Sequence, residues 1–212
     1  NAAGVPDFKE DDRALIAWYE QELKRLMIPV YFHTKVEPEL VKKGGYDAVI
    51  LATGSVPKHL ALDGEAPVVT ASDVLLGEED CGEQVVVVGG GLVGCETALW
   101  LAQNGKKVTI VEALDKLMAV NKPLCHANSE MLERLLPFHK VEILTSARVL
   151  GYKDGRLEVS TPEKVEQIPC DTVISAIGFS REDSLYRQLS RETAEVYLLG
   201  DARKVANIMY AV

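Results

Sequence analysis

The amino-acid sequence predicts an α/β protein organised around a parallel β-sheet. Residues 85–88 are four consecutive valines, apolar and β-branched at every position, which is typical of a strand buried on both faces of such a sheet. A helical stretch follows and ends at Asn104-Gly105, where a glycine commonly stops a helix. A second strand is predicted over residues 107–111. Strand, helix and strand in this order indicate a βαβ unit with two parallel strands.

Glycines connect the first strand to the helix and indicate a ligand. Gly89, Gly91 and Gly94 match G-x-G-x-x-G, in which the first glycine allows a tight turn, the second admits a pyrophosphate and the third lets helix and strand pack closely. Glu112 lies about twenty residues beyond them, where an acid meets a ribose 2′-hydroxyl. We therefore predict a Rossmann-like dinucleotide-binding unit. NAD is favoured over NADP because a carboxylate repels a 2′-phosphate and no arginine follows Glu112 closely.

Composition and charge exclude several classes of function. The 212 residues have room for one large or two small domains, and a net charge of −9 without a basic cluster argues against nucleic-acid and membrane partners. No apolar run is long enough to span a bilayer, and we expect a cytoplasmic protein. The cysteines, histidines and acids show no C-x-x-C pair and no metal-ligand spacing, so neither a redox disulfide nor a metal site is predicted.

A duplicated strand indicates two related folds in one chain. Residues 47–54 and 171–178 align without a gap, and each copy ends in a glycine that lets a ligand approach the backbone. A third strand ends at Gly200-Asp201. Short strands near 141–160, two of them joined at Asp154-Gly155, predict a small antiparallel sheet that serves as a crossover. We predict that residues 74–190 form the NAD-binding domain, inserted between the first (1–73) and second (191–212) segments of another domain.

Periodicity predicts the remaining elements. A helix over residues 11–27 has an apolar stripe that we interpret as core packing, and a short strand is expected over 30–33. A helical turn is expected at 38–43, a short helix near 72–76, and a longer helix near 121–136 that Pro137 ends.

Four motifs in order resemble those of a known superfamily. They are Ala52-Thr53-Gly54, Gly89–Gly94 with Glu96, Ala176-Ile177-Gly178, and Gly200-Asp201-Ala202. This arrangement resembles the flavoprotein reductases with two dinucleotide-binding domains. The opening Asn1-Ala2-Ala3-Gly4 and the stretch 200–209 resemble more closely the C-terminal half of the 2-enoate reductase and 2,4-dienoyl-CoA reductase group.

The resemblance implies a function and a set of site residues. In that group an N-terminal TIM barrel carries FMN and reduces an activated C=C bond beside an iron–sulfur cluster, while the C-terminal half takes hydride from NAD(P)H onto FAD. By resemblance the NAD site comprises Gly89, Gly90, Gly91, Leu92, Val93, Gly94 and Glu112, with Glu96 near the nicotinamide side and Gly178 bordering the same cofactor. The FAD domain would contribute Thr53, Gly54 and Asp201, with Val36 near the adenine.

The sequence also departs from that group. Residues 1–88 contain no glycine fingerprint for FAD, and the barrel, its FMN site and the cluster cysteines are not in the sequence. We therefore expect a fragment that binds NAD(H), does not hold FAD tightly and contributes no catalytic residue, since the cofactors carry the hydride transfer. Its expected partners are the dinucleotides and the barrel of the longer polypeptide. Two alternatives stay open: a structural module that binds ADP, and a fragment of a pyridine-nucleotide disulfide reductase.

Overall fold

The computed structural model describes residues 2–63, 65–119, 124–191 and 195–207. The described helices are α1 (Glu10–Arg25), α2 (Pro38–Gly44), α3 (Ala71–Leu76), α4 (Leu92–Gln103), α5 (His126–Phe138) and α6 (Ser184–Leu189). The described strands are β1 (Val49–Leu51), β2 (Ser55–Pro57), β3 (Val68–Thr70), β4 (Gln84–Val88), β5 (Lys107–Val111), β6 (Glu142–Leu144), β7 (Arg148–Lys153), β8 (Arg156–Ser160), β9 (Val165–Pro169), β10 (Thr172–Ser175), β11 (Phe179–Arg181) and β12 (Val196–Leu198). None of the described helices combines the length and the apolar composition needed to cross a membrane.

The chain divides into two compact units. The first unit contains Asn1–Ala17 and Pro57–Gly178, and the second contains Trp18–Val56 and Phe179–Val212. These boundaries differ from the predicted ones at 73/74 and 190/191. The difference arises because β3 pairs with β10 in the sheet of the first unit, whereas α6 packs in the core of the second. Which cofactor each unit binds stays a prediction.

The first unit is built on a parallel sheet with the strand order β3-β10-β4-β5-β6. Side chains of β4 alternate between two cores: Val85 and Val87 pack with helices α3, α4 and α5, whereas Val86 and Val88 pack with the strands β7, β8 and β9. The alternation explains why the strand is apolar at every position, because successive side chains point to opposite faces and both faces are covered. The structure therefore confirms the predicted fold class.

An antiparallel sheet forms the crossover between the last two parallel strands of the first unit. Strands β7 and β8 form the predicted hairpin around Asp154 and Gly155, which both have positive φ angles. A third strand, β9, which the sequence pattern did not indicate, pairs with β8 and leads into β10. The buried side chains of β8, Leu157 and Val159, fix this sheet on the core beside β4.

The described residues of the second unit form two pairs of strands and a small core. Strands β1 and β12 are parallel, β2 pairs with β11, and Val41, Leu51 and Leu189 are buried together. The opposite face of the β1 and β12 pair carries Ile50 and Tyr197, directly paired in register and 63% and 52% exposed.

Three element predictions were wrong or incomplete. Residues 30–33 form no strand, because no described segment pairs with their backbone, and Tyr31 and Phe32 are exposed. The stripe of α1 is not core packing, since no residue of this described helix is buried. Helix α5 continues through Pro137 to Phe138 instead of ending before the proline, and the predicted start at residues 121–123 lies outside the described residues.

Candidate functional site

The turn between β4 and α4 requires its first glycine. Gly89 has a φ angle of 110°, a region that side chains rarely adopt, and its N–H donates to the carbonyl oxygen of Val111 at 2.9 Å. A Cβ atom at this position would lie 2.5 Å from the carbonyl oxygen of Ala176. The turn is thus enclosed by β5 on one side and by the end of β10 on the other.

The other two glycines of the motif have opposite surroundings. A Cβ atom on Gly94 would lie 1.9 Å from the carbonyl oxygen of Gly89, so the helix and the turn approach as closely as the backbone allows. Among the described residues other than its two chain neighbours, no atom lies within 4 Å of the corresponding position on Gly91. Gly91 is also the N-cap of α4, and no side-chain cap occupies this described helix start. We call these uncapped N–H groups and the space beside Gly91 the cradle; helix starts of this kind are suited to bind anionic groups, and the binding of a pyrophosphate here stays a prediction.

Glu112 lies beside this cradle and contacts the middle of the glycine turn. Its Oε2 accepts a hydrogen bond from the Gly90 N–H at 2.5 Å, and its Oε1 accepts one from the Leu114 N–H at 2.7 Å. The carboxylate is therefore held across the glycine turn, and each oxygen keeps lone-pair capacity for a hydroxyl donor. The space beside Gly90 is narrow, because a Cβ atom there would lie 2.5 Å from the Leu117 Cδ2 methyl and 3.0 Å from the Cβ atom of Glu112.

Gly178 lies at the end of the neighbouring strand. It has a φ angle of 102°, and its carbonyl oxygen accepts a hydrogen bond from the Lys58 N–H at 2.9 Å. Two residues earlier, the Ala176 N–H donates to the carbonyl oxygen of Val88 at 2.9 Å. The structure thus brings the carboxyl ends of β10 and β4 together, as expected for a ligand crevice at the end of parallel strands.

Glu96 lies on a different face of α4. A residue two positions beyond Gly94 is rotated about 200° around a helix, so the Glu96 side chain leaves α4 on another side than Gly94, and its place near the nicotinamide stays a prediction. Its Oε1 accepts a hydrogen bond from Asn128 Nδ2 at 2.8 Å and lies 2.9 Å from Lys9 Nζ. Partial burial lowers the pKa of Lys9, but the hydrogen bond and charge of Glu96 outweigh this and raise it above its usual 10.5. Sequence reasoning missed Lys9 and Asn128, for which no motif gives a signal.

The residues predicted for FAD lie in the second unit. The Thr53 hydroxyl donates to the carbonyl oxygen of Glu182 at 2.5 Å, and the Gly54 carbonyl oxygen accepts the Glu182 N–H at 3.0 Å. Asp201 accepts a hydrogen bond from the Ser55 hydroxyl at 2.9 Å, which places it beside the strand end that follows Gly54. Val36 lies between α1 and α2 and is 45% exposed.

The two copies of the duplicated strand lie in different units. The first copy contains β1 and ends at Gly54, and the second contains β10 and ends at Gly178. Both glycines have positive φ angles, of 76° and 102°, and a Cβ atom on either would meet no atom within 4 Å in the described ranges of the chain. Each unit therefore carries one strand end whose backbone is open to close approach.

The cysteines of the chain are free thiols. Burial, followed by the charges of Glu112, Glu96 and Glu133, raises the pKa of Cys95 to about 12, so this thiol stays protonated at neutral pH. Cys125 is exposed at the start of α5. Within the described ranges, no group of three or more histidine, cysteine or acidic side chains could hold a metal ion.

The fold and the cradle define a dinucleotide-binding α/β domain. The sequence matches the family described as pyridine nucleotide-disulphide oxidoreductase over residues 32–205, and the chain belongs to this family of oxidoreductases. The family implies binding of FAD and NAD(P), and the open cradle at Gly91 fits the NAD(P) part of that expectation.

Individual relatives support the narrower resemblance. The chain is 44% identical to cinnamate reductase from Clostridium sporogenes over 209 residues, which are 99% of this chain and 31% of that protein. It is 36% identical to NADH oxidase from Thermoanaerobacter brockii over 205 residues, which are 92% and 31% of the two chains. A solved structure of 2-naphthoyl-CoA reductase superposes with a TM-score of 0.91 at 25% identity, covering 99% of this chain and 32% of the other. The two-domain flavoprotein type is thereby confirmed, and this chain spans about a third of these relatives.

Proposed function

We propose that this chain is the nucleotide-binding portion of a flavin-dependent oxidoreductase. It binds NADH at residues 89–112 and supports hydride transfer to FAD, for reduction of an enoate or enoyl-CoA C=C bond in a barrel domain outside this chain. The observation that carries the proposal is the open space at Gly91 beside an uncapped helix start, together with the Glu112 carboxylate that accepts the Gly90 N–H. The names cinnamate reductase and 2-naphthoyl-CoA reductase support the substrate class.

Different groups of the cradle would bind different parts of the dinucleotide. The N–H groups at the start of α4 would bind the pyrophosphate, and Glu112 would accept the ribose hydroxyls. The same carboxylate would repel a 2′-phosphate, which favours NADH over NADPH. When bound, NADH supplies the hydride, and the chain contributes orientation and electrostatics.

The second unit supports the expectation that tight binding of FAD requires residues that this sequence does not include. Thr53, Gly54 and Asp201 are close together, but residues 1–88 contain no glycine fingerprint for a second pyrophosphate. The exposed pair Ile50 and Tyr197 also leaves one face of a parallel sheet uncovered within the described chain. We therefore expect the purified chain to bind NADH without retaining FAD. Stoichiometric flavin absorbance in the purified protein would contradict this.

A titration with NADH, followed by cofactor fluorescence, tests the main proposal. Glu112→Ala should weaken binding by about 1.5–3 kcal/mol, the range for hydrogen bonds to a charged group, which is roughly 10- to 150-fold. The matched control is Glu83→Ala, because Glu83 is an exposed acid that pairs with Lys106 just before β4. An unchanged affinity of Glu112→Ala would refute the role of Glu112.

The same titration separates the structural alternative. The wild-type chain should bind NADH more tightly than ADP, because the nicotinamide half contributes contacts at the ends of β4 and β10. Equal affinity for ADP and NADH would support a structural nucleotide-binding module instead. Comparison with NADPH tests the preference: tighter binding of NADPH would contradict the expected repulsion by Glu112.

A further inference from the structure

The turn beside the cradle consists of three glycines in succession. Glycine has no Cβ atom, so residues 89–91 lose more conformational freedom than other residues when their backbone is fixed. If a ligand had to order this turn, the cost of ordering would be subtracted from the free energy of binding. Contacts within the chain that fix the turn beforehand therefore raise the affinity for a ligand.

Both polar groups of the Gly90 backbone are bound within the first unit. Its N–H donates to Glu112, and its carbonyl oxygen accepts the N–H of Met118 at 2.8 Å. The same oxygen accepts the thiol of Cys95 at 3.4 Å, and burial keeps this thiol protonated at neutral pH. The Gly90 oxygen is therefore held by the loop that follows β5 and by α4. We call these two hydrogen bonds the Gly90 carbonyl contacts.

The backbone of Met118 is strained. Its φ angle of 51° lies in the left-handed region, which is uncommon for a residue other than glycine. Such strain persists where the surrounding structure compensates for it, and it is frequent at ligand-binding sites. The Met118 side chain supplies the compensation, because it is only 4% exposed and packs in the core with α4 and α5. This buried side chain holds the Met118 N–H toward Gly90.

One peptide group connects the Gly90 carbonyl contacts to the cradle. The carbonyl of Gly90 and the N–H of Gly91 belong to the same planar trans peptide group and point in opposite directions. Because the oxygen faces Met118 and Cys95, the Gly91 N–H faces the other side of the turn. Rotation of this group would present a carbonyl oxygen, which repels an anion, in place of an N–H donor.

We propose that Met118, assisted by Cys95, fixes the peptide group between Gly90 and Gly91 so that its N–H donates to the pyrophosphate of the dinucleotide. Met118 and Cys95 are positioning residues in this role, since neither side chain contacts the ligand. The role rests on the proposed NADH site.

NADH titration of Met118 variants tests the role in the full chain. In Met118→Ala the buried anchor is lost and the strained backbone relaxes, so NADH should bind roughly five- to tenfold more weakly, within the range for one hydrogen bond. Met118→Leu keeps an apolar side chain of similar volume and should restore the affinity to within about twofold of wild type. The matched control is Met131→Ala, because Met131 on α5 packs against the same core. This control should also lower the Tm but leave NADH affinity within about twofold of wild type.

Two NMR measurements on the wild-type chain test the contacts directly and decide the proposal even if Met118→Ala does not fold. Without NADH, the Met118 N–H should exchange with solvent as slowly as the amides of β4 and β5. On addition of NADH, the Gly91 amide proton should shift downfield, as expected for a hydrogen bond to a phosphate oxygen.

The outcomes distinguish this role from the NADH site itself. Rapid exchange of the Met118 N–H would refute the role, as would NADH binding without a shift of the Gly91 amide. Equal NADH affinities of Met118→Ala and Met131→Ala would also refute it. Failure of the wild-type chain to bind NADH, with slow exchange at Met118, would refute the NADH site and the positioning role, although the contact between Met118 and Gly90 would be confirmed.

Discussion

Substitution of two neighbouring glycines by alanine should separate ligand binding from folding. Gly94→Ala places a Cβ atom 1.9 Å from the Gly89 carbonyl oxygen, whereas carbon and oxygen normally approach to about 3.3 Å, so α4 must move by more than about 1 Å. A displacement this large puts the cost of overpacking in the upper part of its usual range, about 2–3 kcal/mol, offset by about 1 kcal/mol from the better helix propensity of alanine. We expect a net loss of about 1–2 kcal/mol, or a fall in Tm of roughly 2–8 °C.

Gly91→Ala should have the opposite signature. Its φ and ψ angles of −72° and −178° suit any residue, and in the described part of the chain the added methyl group meets no atom within 4 Å beyond its chain neighbours. Stability should therefore change by less than about 1 kcal/mol, the modest cost of replacing glycine at an N-cap. The methyl group would occupy the space proposed for the pyrophosphate, and loss of its charged hydrogen bonds should weaken NADH binding by about 1.5–3 kcal/mol.

Thermal unfolding and NADH titration of both variants check this pair of expectations. Wild-type affinity in Gly91→Ala would show that the pyrophosphate does not occupy the cradle. An undiminished Tm in Gly94→Ala would show that helix and turn are not in close contact. Either result would refute the assignment of separate roles to the two glycines.

Two further predictions concern the thiols. Cys125 is exposed and Cys95 is buried, so a thiol reagent at neutral pH should modify Cys125 first, and Cys125→Ser should remove that fast phase; rapid modification of Cys95 in the folded protein would contradict its burial. The pKa of Cys95 is about 12 in the folded chain against 9.0 unfolded, so its contribution to stability is fully present below pH 9 and is lost as the pH rises toward 12. Urea unfolding should show a slope from this thiol of about 1.4 kcal/mol per pH unit above pH 9, and Cys95→Ala should flatten the dependence; an equally steep slope in that variant would assign the effect to other groups.

Sequence patterns predicted those parts of the first unit whose contacts lie between residues close together in the chain. The βαβ segment and the hairpin at Asp154 and Gly155 have contacts that short sequence patterns encode: alternation, glycine spacing and turn residues. The pairing of Lys9 with Glu96 has no such pattern, because the two residues are far apart in the sequence and ion pairs follow no period. Asn128 was missed for the same reason. The contacts of Lys9 and Asn128 with Glu96 therefore became known only from the structure, whereas the glycine turn was predicted from the sequence.

The failed strand prediction at residues 30–33 has a different cause. Its residues have a composition suited to a strand, but strand formation also needs a neighbour for the backbone N–H and carbonyl groups, and no described segment supplies one. The parallel pair β1 and β12 also lacks a neighbour among the described residues, in this case on one face. Parallel sheets are normally covered on both faces, yet Ile50 and Tyr197 are exposed. In the first unit every strand side chain of β4 except Gln84 is buried. Within the described residues, the first unit therefore covers both faces of its parallel sheet, whereas the second unit leaves one face of its parallel pair exposed.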